Sequence, residues 1–362
     1  MKQTVKIKRW QLLRWKGRAL TAELSDRDFV AVGRRAFARN RHVEEVTLPS
    51  TASAVKAEAF LSCRRLYRVT LSGETAVGLS TGAFADCRRL HCVENTALLS
   101  YIGKEAFRDC RALREMPFSN ELRSIGDAAF EGCASLTAVE IPSSVSQLGR
   151  RVFADCTELA SVALSEGLRA LSAEAFRGCV SLSEVVLPRL LEEIPDGCFC
   201  DCTGLRSVTV PGNVRRIGRQ AFAKNARLER VTLELGVERI DAFAFAETPQ
   251  LKEIAVPHSV TRVGYGAFGL GVREEKLCLL VENEYMLRRM RRLVALAGGR
   301  RCVEVVLVGK SIEERKRERR RTTLEQTPAH LTDMPKKTTE ETTEETAEKT
   351  AEKPREESAE ES

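Results

Sequence analysis

The chain has 362 residues, of which 43% are hydrophobic and 30% are charged, and its formal net charge is +7. This length is enough for one elongated domain or two compact ones, and the composition excludes a wholly disordered chain. Because no run of about 18 apolar residues occurs, the sequence predicts no membrane-spanning helix.

Residues 1–29 are predicted to form an N-terminal cap. Val5 and Ile7 alternate with lysines as in a strand, and Lys16-Gly17 separates two short apolar segments as a hairpin turn does. We therefore expect a hairpin that covers the first apolar face of the structure that follows. This region lacks the apolar stretch and cleavage site of a secretory signal, so we expect a cytoplasmic protein. The alternative is export to the cell surface or the medium by an unrecognised route.

Residues 30–275 are built from an internal repeat of 23 residues. The clearest units read I-G-x-x-A-F-x-x-C-x-x-L-x-x-V-x-L-P, as from Ile125 to Pro142. Nine of the ten intervals between the repeated phenylalanines are 23 residues long, and one is 24. The repeated position is occupied by Phe37, Phe60, Phe84, Phe107, Phe130, Phe153, Phe176, Phe199, Phe222, Phe245 and Phe268. About eleven coils therefore share one template.

A period in the twenties with L-x-x-V-x-L is typical of a leucine-rich solenoid, because each unit buries its apolar face only by stacking on its neighbours. The last two apolar residues are two positions apart, which predicts short strands in a parallel sheet on the concave side. With strands about 4.8 Å apart, the coils predict a curved rod on the order of 50 Å long. Six coils have glycine four residues before the phenylalanine, where we expect a tight return on the convex side. These glycines are Gly33, Gly103, Gly126, Gly149, Gly218 and Gly264.

Seven of the twelve cysteines occupy one template position, three residues after the phenylalanine. They are Cys63, Cys87, Cys110, Cys133, Cys156, Cys179 and Cys202. We interpret this structural ladder as small buried side chains that fill a turn and hydrogen-bond its backbone. The alternative is a metal or disulfide ladder, but no Cys-x-x-Cys pair or histidine cluster completes a site. The sequence therefore predicts no metal and no cofactor.

The template residues closely resemble those of the BspA-like, or Treponema pallidum type, leucine-rich repeats of bacteria. The resemblance covers roughly residues 30–271 and implies a right-handed α/β solenoid, shaped as a horseshoe or curved rod, that contacts other proteins. It implies no catalytic residues, and several members of the family are surface adhesins. We therefore expect a protein that is not an enzyme.

Residues 276–309 are predicted to form a strand–helix–strand C-terminal cap, with the helix at residues 284–297 ending before Gly298-Gly299. Residues 310–362 are predicted to be a charged, disordered tail rich in threonine and glutamate. Residues 322–362 carry a net charge of −7, so the whole-chain value of +7 leaves +14 on residues 1–321. The small net charge thus combines a basic solenoid with an acidic tail.

A basic ridge is predicted in the turns after the cysteine position of the first four coils. It consists of Arg41, Arg64, Arg65, Arg88, Arg89 and Arg111. Such a ridge can attract an acidic protein or nucleic acid, although charged turns are also ordinary solvated surface. Nucleic acid is the less favoured partner, because few aromatic residues lie between the arginines and no nucleic-acid-binding motif occurs.

The outward positions of the strands are the predicted contact surface, because stacking places them in register. They are Glu45, Arg68, Thr70, Glu94, Glu115, Glu140, Glu184, Ser207, Thr209, Arg230 and Thr232. Their mixed polar character predicts a protein partner, and we expect the chain itself to be monomeric. The predicted function is a non-catalytic interaction module or scaffold. The alternatives are a surface adhesin and a binder of an acidic partner through the basic ridge.

Overall fold

A computed structural model of the chain describes residues 20–23, 31–48, 50–72, 76–269 and 275–308. The chain divides into two units, Met1–Lys310 and Ser311–Ser362, and every described residue belongs to the first. The predicted hairpin turn at Lys16-Gly17 and the predicted tail lie outside the described residues. Within them the predicted solenoid is confirmed, as a coil of short parallel strands with one α-helix near its C-terminal end.

The L-x-x-V-x-L segments form the strands of three successive parallel sheets, which we together call the first ladder. The sheets are separate between Glu94 and Ala138 and between Ala163 and Glu184. The inward residues of the ladder align along the molecule, as in the row that joins Val208, Val231, Ile254, Leu279 and Val305. All of its pairings are parallel. The strands are Leu20–Glu23, Val43–Leu48, Arg68–Leu71, Cys92–Glu94, Ala138–Glu140, Ser161–Ala163, Glu184–Val185, Ser207–Val210, Arg230–Leu233, Glu253–Ala255, Leu277–Val281 and Val303–Leu307. The ladder therefore has twelve strands where eleven coils were predicted, because strands of the two caps extend it.

A second ladder runs through the I-G segments of the template, where most coils add two to four residues of parallel strand. Its strands are Ala31–Val32, Ala54–Val55, Val77–Leu79, Leu99–Ile102, Ser124–Ile125, Glu193–Ile194, Arg216–Ile217, Arg239–Ile240 and Arg262–Val263. Isolated bridges link Ile125 with Leu148 and Gln147 with Ala170 between its two halves. Each regular coil thus has two strands, one in each ladder.

The C-terminal cap has the predicted strand–helix–strand order. Its helix, Glu284–Leu296, begins at Asn283, whose side chain accepts a hydrogen bond from the N–H of Met286 at 2.9 Å. The helix packs against the last strand, Val303–Leu307. Two 3₁₀ helices, Thr96–Leu98 and Gly299–Arg301, complete the helical residues of the described chain.

The eleven repeated phenylalanines form one continuous stack through the core. Neighbouring ring centroids are between 4.9 and 6.1 Å apart, and the rings are within 4° to 12° of parallel. All eleven side chains are buried. Each stacked pair contributes about 0.5–1.5 kcal/mol beyond the burial of its apolar area, so the stack fixes the coils in register.

The backbone beside each phenylalanine is left-handed at two positions that the sequence analysis did not identify. The residue two positions before the phenylalanine has a positive φ in all eleven coils, and the residue two positions after it has one in all ten coils in which it is described. This conformation turns alternate N–H groups toward the next coil: Ala128, Phe130 and Gly132 donate to the carbonyls of Arg150, Val152 and Ala154 at 2.7 to 2.9 Å. The turn segments are therefore hydrogen-bonded from coil to coil, as the strands are.

Glycine is required four residues before the phenylalanine for a different reason from the predicted one. Gly149 lies outside the left-handed region, and a Cβ atom there would lie 2.3 Å from the carbonyl carbon of Gly126 in the preceding coil. At Gly33, in the first coil, such an atom meets nothing within 4 Å among the described residues. These glycines therefore allow adjacent coils to pack closely, and a tight turn is not what requires them.

Candidate functional site

The outward side chains of the first ladder form two columns. The first outward column includes Glu45, Arg68, Cys92, Ala138, Ser161, Glu184, Ser207, Arg230 and Glu253. The second outward column includes Thr47, Thr70, Glu94, Glu140, Ala163, Thr209, Thr232 and Ala255. Ten of the eleven predicted contact residues lie in these columns, while Glu115 lies on a segment that forms no strand. Seven of the ten are exposed, and Glu45, Thr70 and Glu94 are half-buried.

The N-terminal part of this face holds polar side chains that fix one another. The Glu94 carboxylate accepts a hydrogen bond from the Thr70 hydroxyl at 2.7 Å and pairs with Arg68 at 3.6 Å. The Tyr67 hydroxyl donates to Glu45, which raises the pKa of Tyr67, and its ring stacks on His91 with centroids 5.5 Å apart. These contacts hold the charged groups in place before any partner arrives.

In the C-terminal part of the face, small side chains lie beside the exposed charged residues Glu184, Arg230 and Glu253. Small side chains project from the two strands on either side of Glu184–Val185; they are Ser161, Ala163, Ser207 and Thr209. Val186, which directly follows its strand, is 76% exposed. A surface of this kind offers apolar and hydroxyl contact area between separate charged side chains.

An open crevice of about 540 Å³ interrupts the first ladder between Glu94 and Ala138. Two departures from the template produce it. Asn95 replaces the last apolar residue of its coil and donates from its side chain to the Leu71 carbonyl at 2.7 Å. Pro117 has no N–H to continue the ladder. The crevice is lined by Val93, Glu94, Asn95, Thr96, Ala97, Pro117 and Phe118.

Phe118 is the aromatic wall of this crevice. It is half-buried and packs at a tilt of 55° on Phe130, with ring centroids 5.8 Å apart. The crevice therefore combines an aromatic ring, an exposed amide and the Glu94 carboxylate. The sequence analysis missed it, although Asn95 and Pro117 both break the repeated pattern.

The seven cysteines of the structural ladder are buried, and each thiol donates to the carbonyl of the phenylalanine one coil earlier. The Sγ to O distances are between 3.0 and 3.2 Å, as from Cys133 to Phe107. Asn225 makes the same contact through its amide, with Phe199 at 3.1 Å. All twelve cysteines are free, so the thiols form no disulfide ladder.

Four arginines of the basic ridge have carboxylate partners. Arg64 and Arg88 both contact Asp86, at 3.4 and 2.6 Å. Although partial burial alone would raise the pKa of Asp86, hydrogen bonds from Arg88 and Ser62 lower it below its ordinary value. The other two pairs are Arg65 with Glu44 and Arg111 with Asp109. Only Arg41 and Arg89 have no ion pair among the described residues. Carboxylates therefore lie between the arginines of the ridge, and its surface is less positive than the arginines alone indicate.

The buried carboxylate of Asp241 is held by two arginines. Arg216 donates to it at 2.7 Å and also to Glu193 and Asp196, and Arg239 contacts its second oxygen. Partial burial alone would lower the pKa of Arg216, but these hydrogen bonds raise it. The carboxylate is thus committed to ion pairs that join three coils. Among the described residues no three metal-ligating side chains cluster, and no helix is long and apolar enough to cross a membrane.

Comparison with known proteins identifies leucine-rich repeats between residues 30 and 270. A family model described as a BspA type leucine rich repeat region matches residues 30–160 and 150–270, with six copies. No curated protein matches the chain.

Three solved structures are similar to parts of the chain. A leucine-rich repeat protein of T. pallidum is 35% identical over 48% of this chain and 77% of that one, with a TM-score of 0.42. A leucine-rich cell surface protein of Faecalibacterium prausnitzii is 20% identical over 62% and 82%, with a TM-score of 0.34. The pneumococcal vaccine antigen PcpA is 16% identical over 81% and 89%, with a TM-score of 0.50, and supports the solenoid fold.

Proposed function

Because the chain belongs to the BspA-type leucine-rich repeat family, we propose that it is a non-catalytic module that binds a protein partner through the outward face of the first ladder. The observation that carries this proposal is the pair of outward columns, whose side chains lie in register within each of the three successive sheets of the first ladder. Such an extended repeated surface is what repeat proteins use for binding.

We place the main contact at the N-terminal part of this face. There Arg68, Thr70 and Glu94 are already fixed by mutual contacts, so a partner loses little side-chain entropy by binding to them. The adjacent crevice can receive a side chain of the partner against Phe118. Anchoring of one side chain in a pocket within a polar surface is typical of protein interfaces.

Site-specific photo-crosslinking in an extract of the source cells tests this proposal. A photoreactive phenylalanine analogue is placed at Thr70 or at Glu140, on either side of the crevice, and in a control at Ser124, an exposed residue of the second ladder. We expect the two face positions to give the same discrete crosslinked protein and the control to give none. The proposal fails if Ser124 gives that product equally or if neither face position gives one.

We also propose that the protein works in a reducing compartment such as the cytoplasm. The support is its chemistry: twelve free thiols, none paired, are stable where thiol reductants are abundant. Display at the cell surface, as an adhesin, is the alternative. Protease treatment of intact cells separates the two, since degradation of the protein while a cytoplasmic marker survives would overturn the cytoplasmic location.

A further inference from the structure

The helix of the C-terminal cap, Glu284–Leu296, has one face buried and one face free. Met286, Leu287, Met290 and Val294 are buried against the end of the solenoid. These side chains form the apolar stripe of the helix, and their burial attaches the helix to the solenoid. The opposite side of the helix is therefore the part that can meet another molecule.

Four arginines lie on or beside the free side of this helix. Arg288, Arg291 and Arg292 are exposed, and Arg289 is half-buried. None of the four has an ion-pair partner among the described residues, in contrast to four of the six arginines of the basic ridge. The nearby carboxylate of Glu282 lies 3.8 Å from His258. The helix thus presents four positive charges that this solenoid does not neutralise.

Two large apolar side chains share this free face with the arginines. Tyr285 is 72% exposed and Leu296 is 75% exposed. Positions 285, 288, 292 and 296 are spaced by three or four residues, so they lie along one side of a helix. Tyrosine and arginine are the side chains most enriched at the centres of protein interfaces, where they bind by packing as well as by charge.

We propose that this face, made of Tyr285, Arg288, Arg292 and Leu296, binds an acidic amphipathic segment of a second protein. Carboxylates of the segment match the unpaired guanidinium groups, and its apolar side chains cover Tyr285 and Leu296. An anionic membrane fits less well, because the apolar stripe that would enter the lipid is already buried in the protein. A nucleic acid would leave Leu296 uncovered. This surface is separate from the face of the first ladder, so the chain can join two partners.

Fluorescence anisotropy with the full chain tests the proposal. The probe is a labelled helical peptide of about 14 residues with glutamates on one side and leucines on the other. We expect the double variant Arg288→Gln/Arg292→Gln to bind it about tenfold more weakly or worse, since glutamine keeps the helix propensity and removes the charge. The matched control, Arg64→Gln/Arg88→Gln, removes the same charge from the basic ridge and should change affinity less than about twofold.

Two further measurements separate this partner from others. Leu296→Ser should weaken binding of the leucine peptide about threefold but leave a peptide with serines in place of leucines unaffected. Equal loss in the ridge variant, or no binding of the peptide to the unmodified chain, would overturn the proposal. So would tighter binding, dependent on Arg288 and Arg292, to a single-stranded oligonucleotide or to phosphatidylserine vesicles. Circular dichroism of each variant verifies that it is folded.

Discussion

At the scale of single residues, Asn40 and Asn225 occupy the turn position that cysteine fills in seven coils, but their amides have different partners. The Asn225 amide nitrogen donates to the Phe199 carbonyl at 3.1 Å, as the thiols do, while its buried oxygen has no hydrogen-bond partner among the described residues. The Asn40 oxygen accepts from the N–H groups of His42 and Val43 at 2.8 and 3.0 Å. The same residue type is therefore costly in one coil and useful in the other.

Substitution of each asparagine by cysteine should have opposite effects. Asn225→Cys keeps a donor to Phe199 and removes an unsatisfied acceptor, so we expect the free energy of unfolding to rise by about 1 kcal/mol. Asn40→Cys loses two hydrogen bonds and should lower it by about 1–2 kcal/mol. Guanidinium denaturation followed by circular dichroism measures both changes. A decrease for Asn225→Cys would show that its oxygen is satisfied in solution.

At the scale of the structural element, the segment around each phenylalanine depends on left-handed residues that vary in type. Ala128 has a φ of 52°, a conformation that costs a residue with a Cβ atom about 1–2 kcal/mol, whereas its neighbour Ala129 is outside that region and fully buried. The equivalent position is glycine in three coils, at Gly82, Gly197 and Gly266.

Glycine substitution at these two adjacent alanines is the matching test. We expect Ala128→Gly to raise the free energy of unfolding by about 1 kcal/mol, because the strain disappears. We expect Ala129→Gly to lower it by about 1 kcal/mol or more, through lost backbone restriction and a lost buried methyl group. Chemical denaturation of both variants measures the difference. Destabilisation of equal size at both positions would mean that the left-handed backbone stores no strain.

Much of this element was predictable from the repeat, and its exceptions were not. The inward positions, such as Val139 and Ile141, followed from the template because each must be apolar to be buried. The left-handed positions could not be identified, since their backbone role is compatible with arginine, glutamate, alanine or phenylalanine. The ion pair of Arg64 with Asp86 joins residues 22 positions apart, and only the stacking distance brings them together.

The placement of the predicted contact residues on one face followed from the sequence, but the crevice beside them did not. Stacking placed Arg68, Thr70 and Glu94 on one face as expected, because the strand period alternates sides. The crevice forms because Asn95 replaces an inward apolar residue and Pro117 has no N–H to donate to the ladder. The repeat template describes only what the coils share, so it did not predict the effect of these two departures. Irregular positions in a regular repeat are therefore where function is best sought.

At the scale of the whole molecule, the stacked thiols make stability sensitive to alkaline pH. Burial raises the thiol pKa well above its ordinary value in a row of cysteines that spans much of the solenoid. These are Cys87, Cys110, Cys133, Cys156, Cys179 and Cys202, and burial also raises the pKa of Cys198, which lies outside the row. In the unfolded chain the same thiols ionise near pH 8.5. Above that pH the unfolded state binds fewer protons than the folded state, so the free energy of unfolding falls as pH rises.

The contribution of the thiols to the free energy of unfolding should be constant below about pH 8 and fall steeply above it. Each buried thiol lowers this free energy by about 1.4 kcal/mol per pH unit above the pKa of the thiol in the unfolded chain. Urea denaturation at intervals between pH 7 and pH 10 measures it. The control is Cys133→Ser/Cys156→Ser, whose hydroxyls can donate to the same carbonyls but do not ionise. The free energy of unfolding of each protein is compared with its own value at pH 7. We expect it to fall less with rising pH in the variant, because two of the buried thiols are absent. Parallel slopes for the two proteins would show that the buried thiols do not control the alkaline loss, since tyrosine and lysine ionisation is common to both.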